Sequence, residues 1–226
     1  MDSLWSNIGA GEFWTPIWLS IKIAFIATCI VIGTGLFVGR WMARRKFKGK
    51  TLLETIFILP MVLPPTVVGF LLIVFFGKNS YLGQWIEWLF KQPIIFTWWA
   101  AVIASAVVSF PLMYQTAKSG FQDVDLDIEN AAKVDGANEW KTLVFISIPL
   151  AFRSLLTGSI LSFARAIGEF GATLMFAGNI PGETQTIPTA IYLAIDSGQM
   201  EMAWLWVATI IIISFLMLLL VQRKRT

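Results

Sequence analysis

Apolar residues in this chain come in five long runs separated by short polar intervals. The runs cover about residues 15–38, 52–76, 94–117, 149–176 and 203–221, each long enough to cross roughly 30 Å of hydrocarbon as a tilted helix. The pattern predicts an all-α polytopic membrane protein with five transmembrane helices. Trp14, Trp18, Trp41, Trp85, Trp88, Trp98, Trp99, Trp204 and Trp206 fall at or near the run ends, where interfacial rings anchor. Residues 84–90 predict a short interfacial helix on the outer side. The second run contains LPMVLPPTVVGF, in which Pro60, Pro64 and Pro65 remove hydrogen-bond donors and bend the helix. A tolerated kink and a hinge beside a pathway both fit.

Between the third and fourth runs, residues 118–148 are polar, with nine formal charges from Lys118 to Lys141. Local signals predict two short helices here. Asp127 can cap the first, Ala131 and Ala132 favour it, and Gly136 ends it. Asn138 can cap a second helix through about Ser147, and Pro149 suits the first turn of the next helix. Val124, Leu126 and Ile128 also alternate with Asp123, Asp125 and Asp127, which in isolation is a strand signal.

Composition narrows the class. Only 14% of the 226 residues are charged and 57% are hydrophobic, where a soluble domain carries about a quarter charged residues. Mean hydropathy is +0.72. The chain has no room for a soluble domain of useful size. One cysteine, Cys29, and no histidine leave no disulfide, thiolate metal site or His-based relay. Asp2 and Glu12 stand where a cleaved leader would be basic. No internal repeat is visible.

The cations orient the runs. Arg40, Arg44, Arg45, Lys46, Lys48 and Lys50 come after the first, Lys118, Lys133, Lys141 and Arg153 flank the polar interval, and Arg223, Lys224 and Arg225 end the chain. Lys78 and Lys91 alone lie on the other side. The bias predicts the N-terminus out, the C-terminus in and the polar interval in the cytoplasm. Such clusters reflect topology and lipid contact rather than nucleic acid.

The fourth run carries a polar stripe. On a continuous helix Ser154, Gly158, Ser162, Arg165, Glu169 and Thr173 share roughly a 100° arc, while Ala164, Gly168 and Ala172 form an adjoining small face suited to helix packing. An unpaired charge at that depth costs about 3 kcal/mol or more, so Arg165 and Glu169 are expected to pair. They can lock helices together or line and gate a conduit with Ser162, Thr173, Pro60, Pro64 and Pro65.

Two stretches carry a resemblance. Ala131-Ala132, then Gly136, then Ile146 and Pro149 resemble the cytoplasmic signature of bacterial ABC importer permeases: EAA, three residues, Gly, nine residues, Ile-x-Leu-Pro. Asn130 stands at the Glu position, with Glu129 one place upstream, and Ile148 stands at the Leu position. FARAIGEFGATLMFAGNIPGETQTIPTAIY, residues 163–192, is similar to molybdate permease subunits, and LPMVLPPTVVGFLL and SFPLMYQ extend the likeness. Sulfate and thiosulfate permeases share the Arg-x-x-Gly-Glu-Phe-Gly core.

The resemblance implies a type I ABC importer permease fold, residues 1–226 forming one transmembrane domain in the bacterial inner membrane. It implies a homodimer, one ATP-binding subunit docked beneath each copy and a periplasmic binding protein bringing molybdate, or tungstate, from outside. The coupling surface it implies comprises Asp127, Glu129, Asn130, Ala131, Ala132, Lys133, Gly136, Ala137, Glu139 and Pro149. The small residues there admit a neighbouring backbone, and Asp127, Glu129, Lys133 and Glu139 supply polar rim contacts. The chain lacks a Gly-x-x-x-x-Gly-Lys-Ser/Thr loop, so ATP and magnesium are expected on the partner and no cofactor on this chain. The rivals are a sulfate or thiosulfate permease, an ion-coupled carrier using Glu169 as its proton site and, more remotely, a membrane enzyme. For the enzyme no His cluster, Asp pair or Ser/Lys set is evident.

Overall fold

A computed structural model describes residues 10–223, and every described element is a helix. Asp2, Lys224 and Arg225, which enter the charge pattern, lie outside the described residues. In chain order the helices are α1 (Ala10–Arg44), α2 (Lys50–Val62), α3 (Pro65–Phe76), α4 (Tyr81–Phe90) and α5 (Trp98–Gln122). They continue as α6 (Leu126–Val134), α7 (Glu139–Ile167, with a π-helical turn at Leu143–Ser147), α8 (Gly171–Ala177), α9 (Ile187–Asp196) and α10 (Met200–Arg223).

Four of these, α1, α5, α7 and α10, are long and apolar enough to span a membrane, and the bent pair α2–α3 makes a fifth if it counts as one span. At 1.5 Å per residue α1 is about 50 Å long, so it protrudes beyond the hydrocarbon. Its exposed Trp18 and Trp41 are about 35 Å apart along the axis.

Helix α5 is the axle. Of its apolar window 67% is buried, against 17% in α10. Ala100, Ala101, Ala104, Ser105, Val108 and Ser109 give it a small surface on which α1 and α7 approach closely. The start of the polar stripe lies in this seam: a side chain at Gly158 would collide with Thr116 on α5.

Two expected spans are broken. The second is not one kinked helix but α2 and α3, bent by 115°. Residues before proline disfavour helical ψ, and Leu63 and Pro64 are both extended, at ψ 144° and 135°. Pro60 stays inside α2. The fourth stops at Ile167, where Gly168 and Phe170 leave helical geometry before α8 begins. Glu169 and Thr173 therefore do not continue the stripe of one helix. The two breaks adjoin: a Cβ on Gly171 would lie 2.9 Å from that of Pro65. Helices α3 and α8 then pack face to face, with Gly69 leaving room for Ala172 and Met175.

The connector after α8 holds α9, an element that the apolar runs did not mark. The Ile187 N–H donates to Ser20 Oγ at 2.8 Å, tying α9 to α1. Trp206, expected as an interfacial anchor, is buried instead: it stacks on Phe13 and donates to its carbonyl at 3.1 Å. Tight packing at Gly69 yields a test. Gly69→Leu is expected to destabilise the protein by about 2 kcal/mol in detergent thermal unfolding, whereas Gly33→Leu, which meets nothing within 4 Å, is expected to be neutral.

Candidate functional site: a latched helix beneath the spans

The polar interval folds as a helix, a tight turn and a second helix, but its caps differ from expectation. Asp125, not Asp127, caps α6, accepting the Asp127 N–H at 2.9 Å. Asp127 and Glu129 occupy the first turn and Lys133 the last, which suits the helix dipole. At the C-terminus Gly136 takes φ 91°, and the Ala137 N–H donates back to the Ala132 carbonyl at 2.9 Å. Asn138 accepts the Lys141 N–H at 2.8 Å and starts α7. The second helix does not end near Ser147. It runs through the π-helical turn into the span, with Pro149 in the next helical turn.

Glu129 is the centre of this region. Expected on a polar rim, it is instead 2% exposed. Its Oε1 accepts from Arg40 Nη1 at 2.7 Å, Arg44 Nη2 at 2.8 Å and Ser147 Oγ at 2.8 Å, and its Oε2 from Arg40 Nη2 at 3.0 Å. Arg44 also donates to the Val124 carbonyl at 2.9 Å, and Arg40 lies over the Phe121 ring. One carboxylate thus joins α6 to the end of α1 and to the π-helical turn of α7. Arg40, Arg44 and Ser147 were missed as site residues. The signal was an Arg pair four residues apart, hence on one helix face, at the end of an apolar run.

Burial alone would push the Glu129 carboxyl up, but hydrogen bonds from Arg40, Ser147 and Arg44 outweigh it and hold it below the ordinary glutamate range.

The remaining coupling residues face outward. Asp127, Asn130, Ala131, Lys133, Gly136, Glu139 and Pro149 are exposed, and Ala132 and Ala137 are half-buried. Lys133 and Glu139 pair at 2.6 Å on the open surface, where such a pair contributes little. Beside them Val134, 87% exposed, and Trp140, 70% exposed, present apolar surface next to the α6–α7 turn.

In the membrane stretch, Arg165 Nη2 and Glu169 Oε2 lie 2.7 Å apart. The contact is an ion pair without hydrogen-bond alignment. The other oxygen of Glu169 caps α8, accepting the Ala172 N–H at 2.8 Å. Glu169 is covered while a third of the Arg165 side chain is exposed. Ser162 is covered by α5 and donates to the Ser109 carbonyl at 3.3 Å. Thr173 is buried with its hydroxyl unpartnered. Pro64 and Pro65 are exposed at the neighbouring break, and Pro60 is half-buried. Among the described residues no group of three or more His, Cys, Asp or Glu side chains could hold a metal ion.

Residues 35–223, from the last quarter of α1 through α10, match the family model described as the inner membrane component of binding-protein-dependent transport systems. The chain belongs to that family. This inner membrane component is therefore a multi-pass protein of the inner membrane, and α6 lies within the matched region. It is 66% identical over its whole length, and the whole of the relative's, to YvgM of Bacillus subtilis, a transport system permease protein whose assignment to molybdenum is itself provisional. It is 41% identical to the molybdenum transport system permease protein ModB of Escherichia coli K12, across 81% of this chain and 80% of the other. A sulfate transport system permease protein, CysW of Synechococcus elongatus, is 32% identical across 88% of this chain and 69% of the other. Among solved structures, a chain of the MetNI methionine ABC transporter superposes with TM-score 0.71 at 14% identity, covering 96% of this chain and 97% of that one. At that identity the likeness shows the fold alone: this inner membrane component has the fold of ABC importer permeases.

The latch gives a test with a definite sign. Because the carboxyl is held below its ordinary value, the unfolded chain binds more protons in the interval between the two. The contribution of the latch is therefore complete above the ordinary glutamate range and is lost as pH falls below it. Glu129→Gln is expected to cost about 3 kcal/mol, as breaking a buried ion pair does. It should also remove that acid limb from a thermal-unfolding profile against pH.

Proposed function

We propose that the chain is the permease subunit of an ATP-driven molybdate importer, working as a homodimer. One ATP-binding subunit docks beneath each copy, and a binding protein delivers cargo from outside. The observation that carries this reading is the latched helix α6. It presents Val134 outward beside the Gly136 turn and Trp140 of α7, while Glu129 fastens its other face to two membrane helices.

Closure of the partner subunits on ATP moves α6, and α6 carries α1 and α7 with it through Glu129. Orientation comes from the cations, with the N-terminus outside and α6 in the cytoplasm. In the membrane, the Arg165–Glu169 pair acts as a lock that fixes the break between α7 and α8. The exposed side of Arg165 then faces the path between copies, and Pro64 and Pro65 border it at the neighbouring break. A cation already neutralised by Glu169 does not hold an oxyanion permanently, as conduction requires.

Molybdate, rather than sulfate, is favoured by the higher identity to the molybdenum relatives. Competitive radiolabelled uptake in cells expressing the whole transport gene set tests the cargo: excess unlabelled molybdate is expected to suppress labelled molybdate uptake, and equal suppression by sulfate would contradict the assignment. Uptake driven by a pH gradient without any ATPase subunit would overturn the ATP-driven reading in favour of a Glu169 proton carrier.

Docking has its own test. Val134→Glu leaves every described contact of the latch in place. It is expected to reduce ATP-driven uptake at least about tenfold, as loss of an interface anchor does, with the protein still folded in the membrane. Normal uptake by that variant would remove the docking surface from α6.

A further inference from the structure

The basic stretch from Arg40 to Lys50, across the end of α1 and the start of α2, is divided by the fold into two sets of cations. Arg40 and Arg44 are neutralised by Glu129, and Glu54 lies 2.6 Å from Lys118 and 4.0 Å from Lys50. Arg45, Lys46 and Lys48 are exposed and pair with no carboxylate among the described residues. Between them Phe47 stacks on Trp41, ring centres 5.3 Å apart. The stack folds the connector back to the depth of a tryptophan at the end of a span, the level of lipid headgroups.

Beneath this connector is a cleft. Helix α2 buries none of its residues. It touches α5 through Phe57, whose ring meets those of Phe110 and Tyr114, and beside that contact a space of about 340 Å³ opens between α1, α2 and α5, lined by Ile30, Val31, Ile56, Ala106, Val107 and Phe110 among others. Ile30 and Ile56 at its rim are about half exposed, so the cleft opens sideways. Its one hydroxyl, on Thr34, is satisfied by the Ile30 carbonyl at 2.9 Å. The occupant must therefore be apolar along its length. It must also be narrow, because a single turn of helix about 10 Å across already fills roughly 400 Å³. Residues 45–49 join α1 to α2 and so roof one end of the cleft, and Ile56 lies about 9 Å along α2 from Lys50.

We propose that this cleft is a binding site for an anionic phospholipid. One acyl chain lies between α1, α2 and α5, and the charged headgroup is held by Arg45, Lys46 and Lys48. The lipid fills the space that α2 leaves, so it props the arm that continues into the 115° bend.

Native mass spectrometry of the intact chain in mild detergent, with phosphatidylglycerol and phosphatidylcholine of matched acyl chains, tests this. Phosphatidylglycerol is expected to be retained over phosphatidylcholine by about a hundredfold, since each of the three basic side chains near the anionic headgroup contributes about fivefold. The exposed pair Lys46→Gln/Lys48→Gln should reduce that preference roughly 30-fold without changing the weak retention of phosphatidylcholine. Ala106→Leu, which narrows the cleft, should lower retention of both lipids. Equal retention of the two lipids by the unaltered chain, or an unchanged preference in the double variant, would overturn the headgroup site. Full retention by Ala106→Leu would overturn the acyl site. Efficient cross-linking of Ile56→Cys between two copies, with Cys29→Ser to remove the other thiol, would place protein in the cleft and overturn the proposal.

Discussion

A carboxylate removed from water between two guanidinium groups sets the mechanics of this chain. Taking Glu129 out of solvent is costly on its own, and only an arrangement that saturates its oxygens with charged donors makes it tolerable. Arg40 meets it with both Nη groups, Arg44 and Ser147 complete the set, and such charge-assisted contacts are about twice as strong as neutral ones. A link of this kind has little slack. Removing Glu129 leaves Arg40 and Arg44 without their carboxylate, so this one side chain ties α6 to the end of α1 and to the π-helical turn of α7. Single π-helical turns of this kind lie frequently at functional sites. Here that turn carries Ser147, and so sits directly on the latch.

The other end of the bundle is built to the opposite plan. Where the latch fuses three elements, α2–α3 and α7–α8 each interrupt a span, and the two interruptions touch. Broken helices in a membrane expose backbone that protein must satisfy. Glu169 does so for α8 by taking the Ala172 N–H, while its second oxygen neutralises Arg165. Helix α5 runs between the two regions as the buried strut. Under the proposed coupling, a displacement applied at α6 would pass along these elements toward the two breaks.

Much of this was legible in residue patterns, and the misses share a cause. Gly136 and Asn138 act locally, one through its own backbone geometry and the other by capping the next turn, and the fold uses both as read. Periodicity failed where a helix ends without an obvious breaker. The stripe from Ser154 to Thr173 assumed about 100° per residue throughout, and Gly168 with Phe170 interrupts it. Glu129 was misread because a charged residue in a polar interval is usually solvated. Its burial depends on Arg40 and Arg44, about 85 to 89 positions earlier. Trp206 was taken for an interfacial anchor for the same reason, since its stacking on Phe13 is a contact between chain ends. Short spacing puts Arg40 and Arg44 on one helix face but does not name their partner.

The most direct measurement is the amount of cargo imported per ATP hydrolysed by Glu129→Gln, reconstituted with its ATPase and binding-protein partners in sealed vesicles. If Glu129 carries force from the docked surface into α1 and α7, hydrolysis should persist while uptake per ATP falls at least about tenfold, because the subunits still meet but their motion is no longer passed on. An unchanged ratio, with the variant folded and assembled, would contradict that role and leave Glu129 a fastening of the fold alone.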